Sequence, residues 1–312
     1  MSVKTKRRKV VLDDNPLRHN WLFVSLILLI PTITFLVFKV YVSAQMFTLA
    51  FQEFSDTGWV PVGFKNIAGA LREFVDPSKE AYVALMNSLL IWAVSLFIYL
   101  PVGLFFSYVF FKKMPGSFAF RIIYLIPQIV PVTVMTMVYK ESLEAGGYMH
   151  AILGMVGIAP PADVGSWFQM DSSFNIVMLY SLWVGIGNHV LYFSGNMTRI
   201  PTEVIESARL DGVGFWREFF NIVIPLITPI LTSMVIMNFS TITGYWMPVR
   251  LLTNGGPNNL SITIALKIQD TAMDIKWQGY SSALGVIFTI IMVPIVMGTR
   301  KLLDKLFPGV EY

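Results

Sequence analysis

Cysteine is absent from the 312 residues, and histidine occurs three times, at His19, His150 and His189. A disulfide framework or thiolate metal site is therefore excluded, and the scattered histidines lack the spacing of a zinc cluster. Charge is scarce: Asp, Glu, Lys and Arg make up 13%, where a soluble domain carries about a quarter. No G-x-x-x-x-G-K-[ST] occurs, so the chain has no P-loop with which to cradle nucleotide phosphates. Paired acids are missing from the apolar runs, and Ser194-Gly195 lacks the preceding glycine of a nucleophile elbow, which argues against an intramembrane hydrolase. What is present is apolar: 55% hydrophobic residues and a mean hydropathy of +0.63 describe an integral membrane protein. Its net charge of +4 is spread beside the apolar runs, the arrangement that encodes membrane orientation and not a nucleic-acid surface.

A helix needs about 20 apolar residues to cross about 30 Å of hydrocarbon. Six stretches qualify, near Trp21 to Val42, Tyr82 to Phe111, Phe118 to Tyr139, Phe174 to Met197, Phe219 to Phe239 and Ala283 to Leu302. They are continuously apolar and do not alternate, so the reading is an all-α bundle and not a barrel. The first run follows the basic start MSVKTKRRKV; it exceeds the 7 to 15 residues of a signal h-region, and a retained helix is expected despite a faint cleavage-like VSAQ. With the N-terminus inside, the outer loops near 45 to 81, 140 to 173 and 245 to 282 hold Lys65, Arg72, Lys79, Lys140, Arg250, Lys267 and Lys276. Lys39 snorkels near the outer end of the first span, and the rest of the 23 Lys and Arg lie inside. Both termini are thus expected in the cytoplasm, with a basic segment at 1–20, a membrane domain at 21–302 and a tail at 303–312. Pro127, Gln128 and Pro131 mark a kink in the third span, and Gln128 is a candidate to face a pathway.

One inner loop stands out. IESARLDGVGFWREFFNIVIPL, from Ile205 to Leu226, sets Glu206, Arg209, Asp211, Arg217 and Glu218 between two apolar runs. Charges are costly in hydrocarbon, so the cluster marks a place where the chain leaves the bilayer. Pro201 suits a first helical turn, Glu203 and Glu206 favour its positive end, and Val204, Ile205 and Ala208 form an apolar stripe. Asp211-Gly212 breaks this helix, and another begins at Phe215, with Phe219 and Phe220 turning back toward lipid. The product is a compact knob on the inner face, which could be a plain polar connector or a docking element.

The residues decide between these by resemblance. Glu206, Ala208, Asp211, Gly212, Phe219, Ile222 and Pro225 match in register the EAA loop, E-A-A-x-x-D-G-A with a downstream Phe and I-x-L-P, of the permease subunits of binding-protein-dependent ABC importers. Ser207, Val213 and Ile224 depart from it by small or apolar replacements. LLTNGGPNNLSIT at Leu251 to Thr263 is similar to the L-T-x-G-G-P turn of the sugar-transporting (maltose and multiple-sugar) members, and Gly279, Tyr280 and Ala283 to their G-Y-x-x-A entry into the last helix. VGFKNI at Val62 to Ile67 and NSL at Asn87 to Leu89 have a similar look.

The resemblance implies the type I importer permease fold in the cytoplasmic membrane of a prokaryote. In it the loop at 199–218 is a coupling helix, with Glu206, Ser207, Ala208, Asp211 and Gly212 docked on a separate ATPase. Two ATPase subunits holding ATP and Mg, a second homologous permease and an extracellular solute-binding protein would complete the assembly. This chain would carry no cofactor and catalyse no reaction of its own. Its cargo would be a mono- or oligosaccharide.

A solute pathway needs polar groups at mid-membrane. In the fourth span Ser181, Gly185 and Asn188 share one face by their spacing, with Trp183 and Tyr192 nearby; at the end of the fifth, Asn238, Thr241 and Tyr245 do the same. Hydroxyls and amides beside aromatic rings suit a sugar, although such residues also serve helix packing. His189 reads as a packed interior histidine. The alternative function, an ion-coupled secondary transporter of a polar small solute, would normally show a carboxylate within its spans and repeated halves. Spans two to six contain no Asp or Glu, and no repeat is visible.

Overall fold

A computed structural model describes residues 21–157, 167–171 and 173–306; the basic segment 1–20 and the end of the tail, 307–312, lie outside the described residues. The chain divides into two compact units, Met1–Thr48 and Leu49–Tyr312. The first apolar run forms α1, built from Trp21–Phe35, a π-turn over Leu36–Tyr41, and Val42–Leu49. From Phe23 it spans 27 residues, about 40 Å at 1.5 Å per residue, so it outruns the hydrocarbon and its expected end at Val42.

The second unit opens with an antiparallel hairpin, β1 (Gln52–Ser55) and β2 (Gly58–Pro61), in a stretch read from sequence as loop. Ser55 pairs with Gly58 across a two-residue turn, Gly58 takes φ +106°, and Phe54 meets Trp59 edge-on at 5.3 Å. Strands of four residues carry little periodic signal, which is why an all-α reading passes over them. The remaining elements are helical: α2 (Lys65–Val75), α3 (Glu80–Phe111), α4 (Ser117–Ile129), α5 (Val132–Leu143), α6 (Tyr148–Met155), α7 (Ser173–Met197), α8 (Thr202–Leu210), α9 (Phe215–Gly244), α10 (Met247–Leu252), α11 (Ile264–Met273) and α12 (Gln278–Leu306).

Among the described residues five helices are long and apolar enough to span a membrane, and a bent pair makes up to six. The pair is the expected third span, which is broken and not merely kinked: α4 and α5 meet at 114°. The cause is local. Pro131 forces the residue before it out of the helical region, and Val130 sits at φ −83°, ψ 137°. Side chains of both halves nevertheless reach α7. Gln128 donates to Val184 O at 2.9 Å, the Thr136 hydroxyl lies 2.8 Å from that of Tyr180, and Tyr139 reaches Ile176 O at 3.4 Å.

Helices α3 and α9 share a second device. Each contains a π-turn, Ser95–Tyr99 and Phe219–Val223, followed within two residues by a proline, Pro101 and Pro225. The wide turn accommodates a ring that cannot donate to the ladder and would clash with the carbonyl four residues back. Packing between α3 and α7 is close because small residues face it: a Cβ on Gly103 would come within 2.6 Å of His189 Cβ, and one on Gly185 within 2.5 Å of the Tyr99 ring. One end of the unit gathers Glu80 with Lys267 (2.9 Å), Glu73 with Tyr280 (2.6 Å), and Asn87 with the carbonyls of Leu260 and Ile262. The opposite end gathers Lys112, Tyr108 and Glu218. The loops assigned to the same side by sequence therefore meet at the same end.

Candidate functional site

A cavity of about 240 Å³ lies between α3, α7 and α9, with Gln128 of α4 in its wall and Tyr245 just past the end of α9. All five solute residues expected from sequence, Ser181, Gly185, Asn188, Thr241 and Tyr245, line it, and so do Asn238, Tyr192 and His189. The 3-and-4 spacing is the reason: it stacks these positions on the faces of α7 and α9 that look toward each other. Trp183 is different. Two positions on from Ser181, it points to α4, where its indole N–H donates to Ile123 O at 3.3 Å.

The polar groups of the cavity are partly spoken for. Tyr99 OH and Ser181 Oγ lie 2.7 Å apart, and Ser181 donates onward to Met178 O. His189 Nδ1 is 2.8 Å from Gly185 O, which can only accept, so this nitrogen carries the proton; Nε2 then accepts from Asn238 Nδ2 at 3.2 Å. The imidazole is a neutral, packed interior histidine. Two buried atoms of this cavity wall have no hydrogen-bond partner among the described residues: Asn238 Oδ1 and the Tyr245 hydroxyl, which lies beside Ser181 without a well-aligned bond to it. Buried polar atoms are normally paired, so unpaired ones in a cavity wall are where a polar ligand binds most profitably. The residues overlooked in the sequence are those from α3, Ile91, Ser95 and Tyr99. Ser95 and Tyr99 stand four apart within an apolar run, which was the available signal.

At one end of the unit the predicted knob forms. Pro201 precedes α8, Ile205 and Ala208 are buried, Val204 is half-buried, and Glu206, Ser207, Asp211 and Gly212 are exposed. The helix stops in a Schellman arrangement: Gly212 at φ +71° donates to Arg209 O and Val213 to Ala208 O, both at 3.0 Å. Leu210 is 89% exposed at the tip, and Glu206 and Asp211 form no ion pair among the described residues. The foot of the knob differs from expectation. Glu218 is buried, not water-facing, and its carboxylate takes two bonds from Lys112 Nζ (2.8 and 2.9 Å) and one from Tyr108 OH (3.0 Å). Phe219 packs on Tyr108 at 4.8 Å between ring centroids instead of facing lipid, whereas Phe220 is exposed.

A family model described as "Binding-protein-dependent transport system inner membrane component" matches residues 99–309. Among curated proteins, the chain is 25% identical to the probable ABC transporter permease protein YurN of Bacillus subtilis over 286 residues, 89% of this chain and 95% of that protein. It is 24% identical to the maltose/maltodextrin transport system permease protein MalF of Escherichia coli K12, covering 65% of this chain but 39% of MalF. It thus spans well under two thirds of MalF's length. Among solved structures, a chain of a bacterial alginate ABC transporter, crystallised with an alginate pentasaccharide-bound periplasmic protein, superposes with a TM-score of 0.76 over 94% of this chain and 98% of that one. At 17% identity the likeness is one of fold.

Proposed function

The chain belongs to the family of binding-protein-dependent transport system inner membrane components, and from that premise we propose that it is the carbohydrate-conducting permease subunit of an ATP-driven importer. The observation that carries the sugar reading is the cavity. Hydroxyls and amides of Ser181, Asn188, Asn238, Thr241 and Tyr245 converge beside the rings of Tyr99 and Tyr192, with two buried polar atoms left unpaired. Sugars present C–H faces to rings and hydroxyls to such groups. The transport systems named for two relatives, maltose/maltodextrin and diacetylchitobiose in the case of NgcF of Streptomyces coelicolor, agree with a saccharide cargo.

In this proposal a second permease completes the pathway, an extracellular solute-binding protein delivers the sugar, and two separate ATPase subunits hold ATP and Mg. Both termini are cytoplasmic, in the inner membrane of a prokaryote. Glu206, Ser207, Asp211 and Gly212 dock the knob, at 199–218, on an ATPase, whereas Ala208, expected among them from sequence, is buried and seats the helix on its own chain. ATP closes the ATPase pair, the knob moves with it, the spans reopen outward, and the sugar enters between the two permeases. The exposed Leu210 and Glu206 on a rigidly capped helix are what a docking element requires, because a two-state partner can bias the spans only through a firm contact.

The test is import by the reconstituted complex with Tyr245→Phe and Asn238→Leu. Each removes an unpaired polar atom, and sugar import is expected to fall about tenfold, the ~1.4 kcal/mol of one lost hydrogen bond, while the ATPase subunits still co-purify. Unchanged import by both variants would place the sugar elsewhere.

A further inference from the structure

Resting on the carbohydrate reading above, we infer that this cavity selects uncharged sugars and disfavours acidic ones that carry a carboxylate. Among the described residues its lining contains no Lys, Arg, Asp or Glu. The one ionisable group with a physiological titration range, His189, has both ring nitrogens engaged, Nδ1 with Gly185 O and Nε2 with Asn238 Nδ2. A ring that donates once and accepts once is neutral and offers no cation to a sugar acid. The unpaired atoms are a carbonyl oxygen and a phenolic hydroxyl. Asn238 Oδ1 can only accept a bond, which a sugar hydroxyl supplies and a carboxylate cannot.

The rest of the wall reinforces this. Ile91, Val184, Met234 and Met237 are apolar, so a carboxylate seated against this wall would lose its hydration without gaining a counter-charge from it. Arg199, the first Lys or Arg after Asn188 in the chain, lies two residues past the end of α7. The helical stretch from Asn188 to Met197 alone covers about 14 Å at 1.5 Å per residue, and Arg199 lines a different cavity near the inner loop with Leu226 and Ile230. At that separation it cannot form an ion pair with a ligand seated against Asn238 and Tyr245.

The experiment uses the complete transporter in lipid nanodiscs and matched pairs of probes: neutral tri- and tetrasaccharides, and the same oligosaccharides with one primary alcohol oxidised to a carboxylate. Equilibrium binding of each member is measured directly, without the solute-binding protein, so that protein's own selectivity does not enter. At least a tenfold preference for the uncharged member is expected in every pair that binds. Equal or tighter binding of the acidic member overturns the inference and leaves the carbohydrate reading standing. If no member of any pair binds to a complex that hydrolyses ATP, the carbohydrate reading falls, and this inference with it. Thr241→Lys, which puts an ammonium at the cavity wall, provides a second arm: in an intact, ATP-hydrolysing complex the preference should narrow to threefold or less. An unchanged preference in that variant would assign the selection to another part of the pathway and overturn the role given to this cavity.

Discussion

Replacing Lys112 by Met tests how the foot of the knob is held. The Glu218 side chain is 2% exposed and that of Lys112 16%, and both carboxylate oxygens accept from the ammonium. Removing the ammonium leaves a buried carboxylate with only the Tyr108 hydroxyl. Breaking a buried pair from one side costs about 3–5 kcal/mol; because Lys112 retains some solvent contact, the lower end applies, about 3 kcal/mol. For a chain of this size a kcal/mol corresponds to roughly 2–4 °C, so thermal unfolding of the purified complex should drop by on the order of 6–12 °C. Glu218→Gln should cost less, about 1–2 kcal/mol, since the freed ammonium can swing toward water while the amide still accepts from Tyr108. The double variant Lys112→Met/Glu218→Leu removes both charges and should recover most of the loss, since apolar replacement of a buried pair is often neutral. The reasoning fails if Lys112→Met lowers the transition by less than 2 °C, or if the double variant is as unstable as the sum of the single ones.

Three further outcomes follow from the geometry. Gly212→Val should abolish import while leaving membrane insertion intact, because φ +71° disfavours a β-branched residue by about 1–2 kcal/mol and the Schellman cap is lost; Gly212→Asn, which tolerates that region, should retain most of the uptake. Gly187→Ala should destabilise the complex by about 2 kcal/mol or more, seen as a lower unfolding temperature, since its Cβ would run into the Tyr124 backbone carbonyl. With no native cysteine in the chain, Ser207→Cys and Val213→Cys give unique crosslinking handles; in intact cells they should capture an ATPase subunit, and capture of an extracellular protein instead would reverse the orientation.

The parts of this molecule legible in its sequence are those with a local period. Long apolar runs give the spans, and polar residues three and four apart on α7 and α9 give one wall of the cavity, because helical geometry alone puts Ser181, Gly185 and Asn188 together. What stayed hidden depends on distant partners. Glu218 reads as one more charge leaving the bilayer, and only the fold brings it to Lys112, 106 positions away. Tyr99 looks like any aromatic residue of an apolar helix until α7 supplies Ser181 to its hydroxyl. The break at Val130 was half visible: Pro131 announces a disturbance, but whether the chain kinks or turns by 114° is decided by distant partners, α7 for α4 and α10 for α5.

The paired wide turns and prolines of α3 and α9 have a mechanical consequence. Helical bending stiffness comes from the unbroken ladder, and the ladder is loosened at Ser95–Tyr99 and at Phe219–Val223. Between the first of these and Lys112 lies a regular segment, Leu100–Phe111, whose far end is bolted to Glu218. If α8 docks on a moving partner as proposed, a push there would have a stiff lever to act on, whose fulcrum is the stretch that presents Ser95 and Tyr99 to the cavity. In the coupling proposed above, displacement at the membrane surface would then become rotation of a pocket wall, with the intervening turns carried along as one rod.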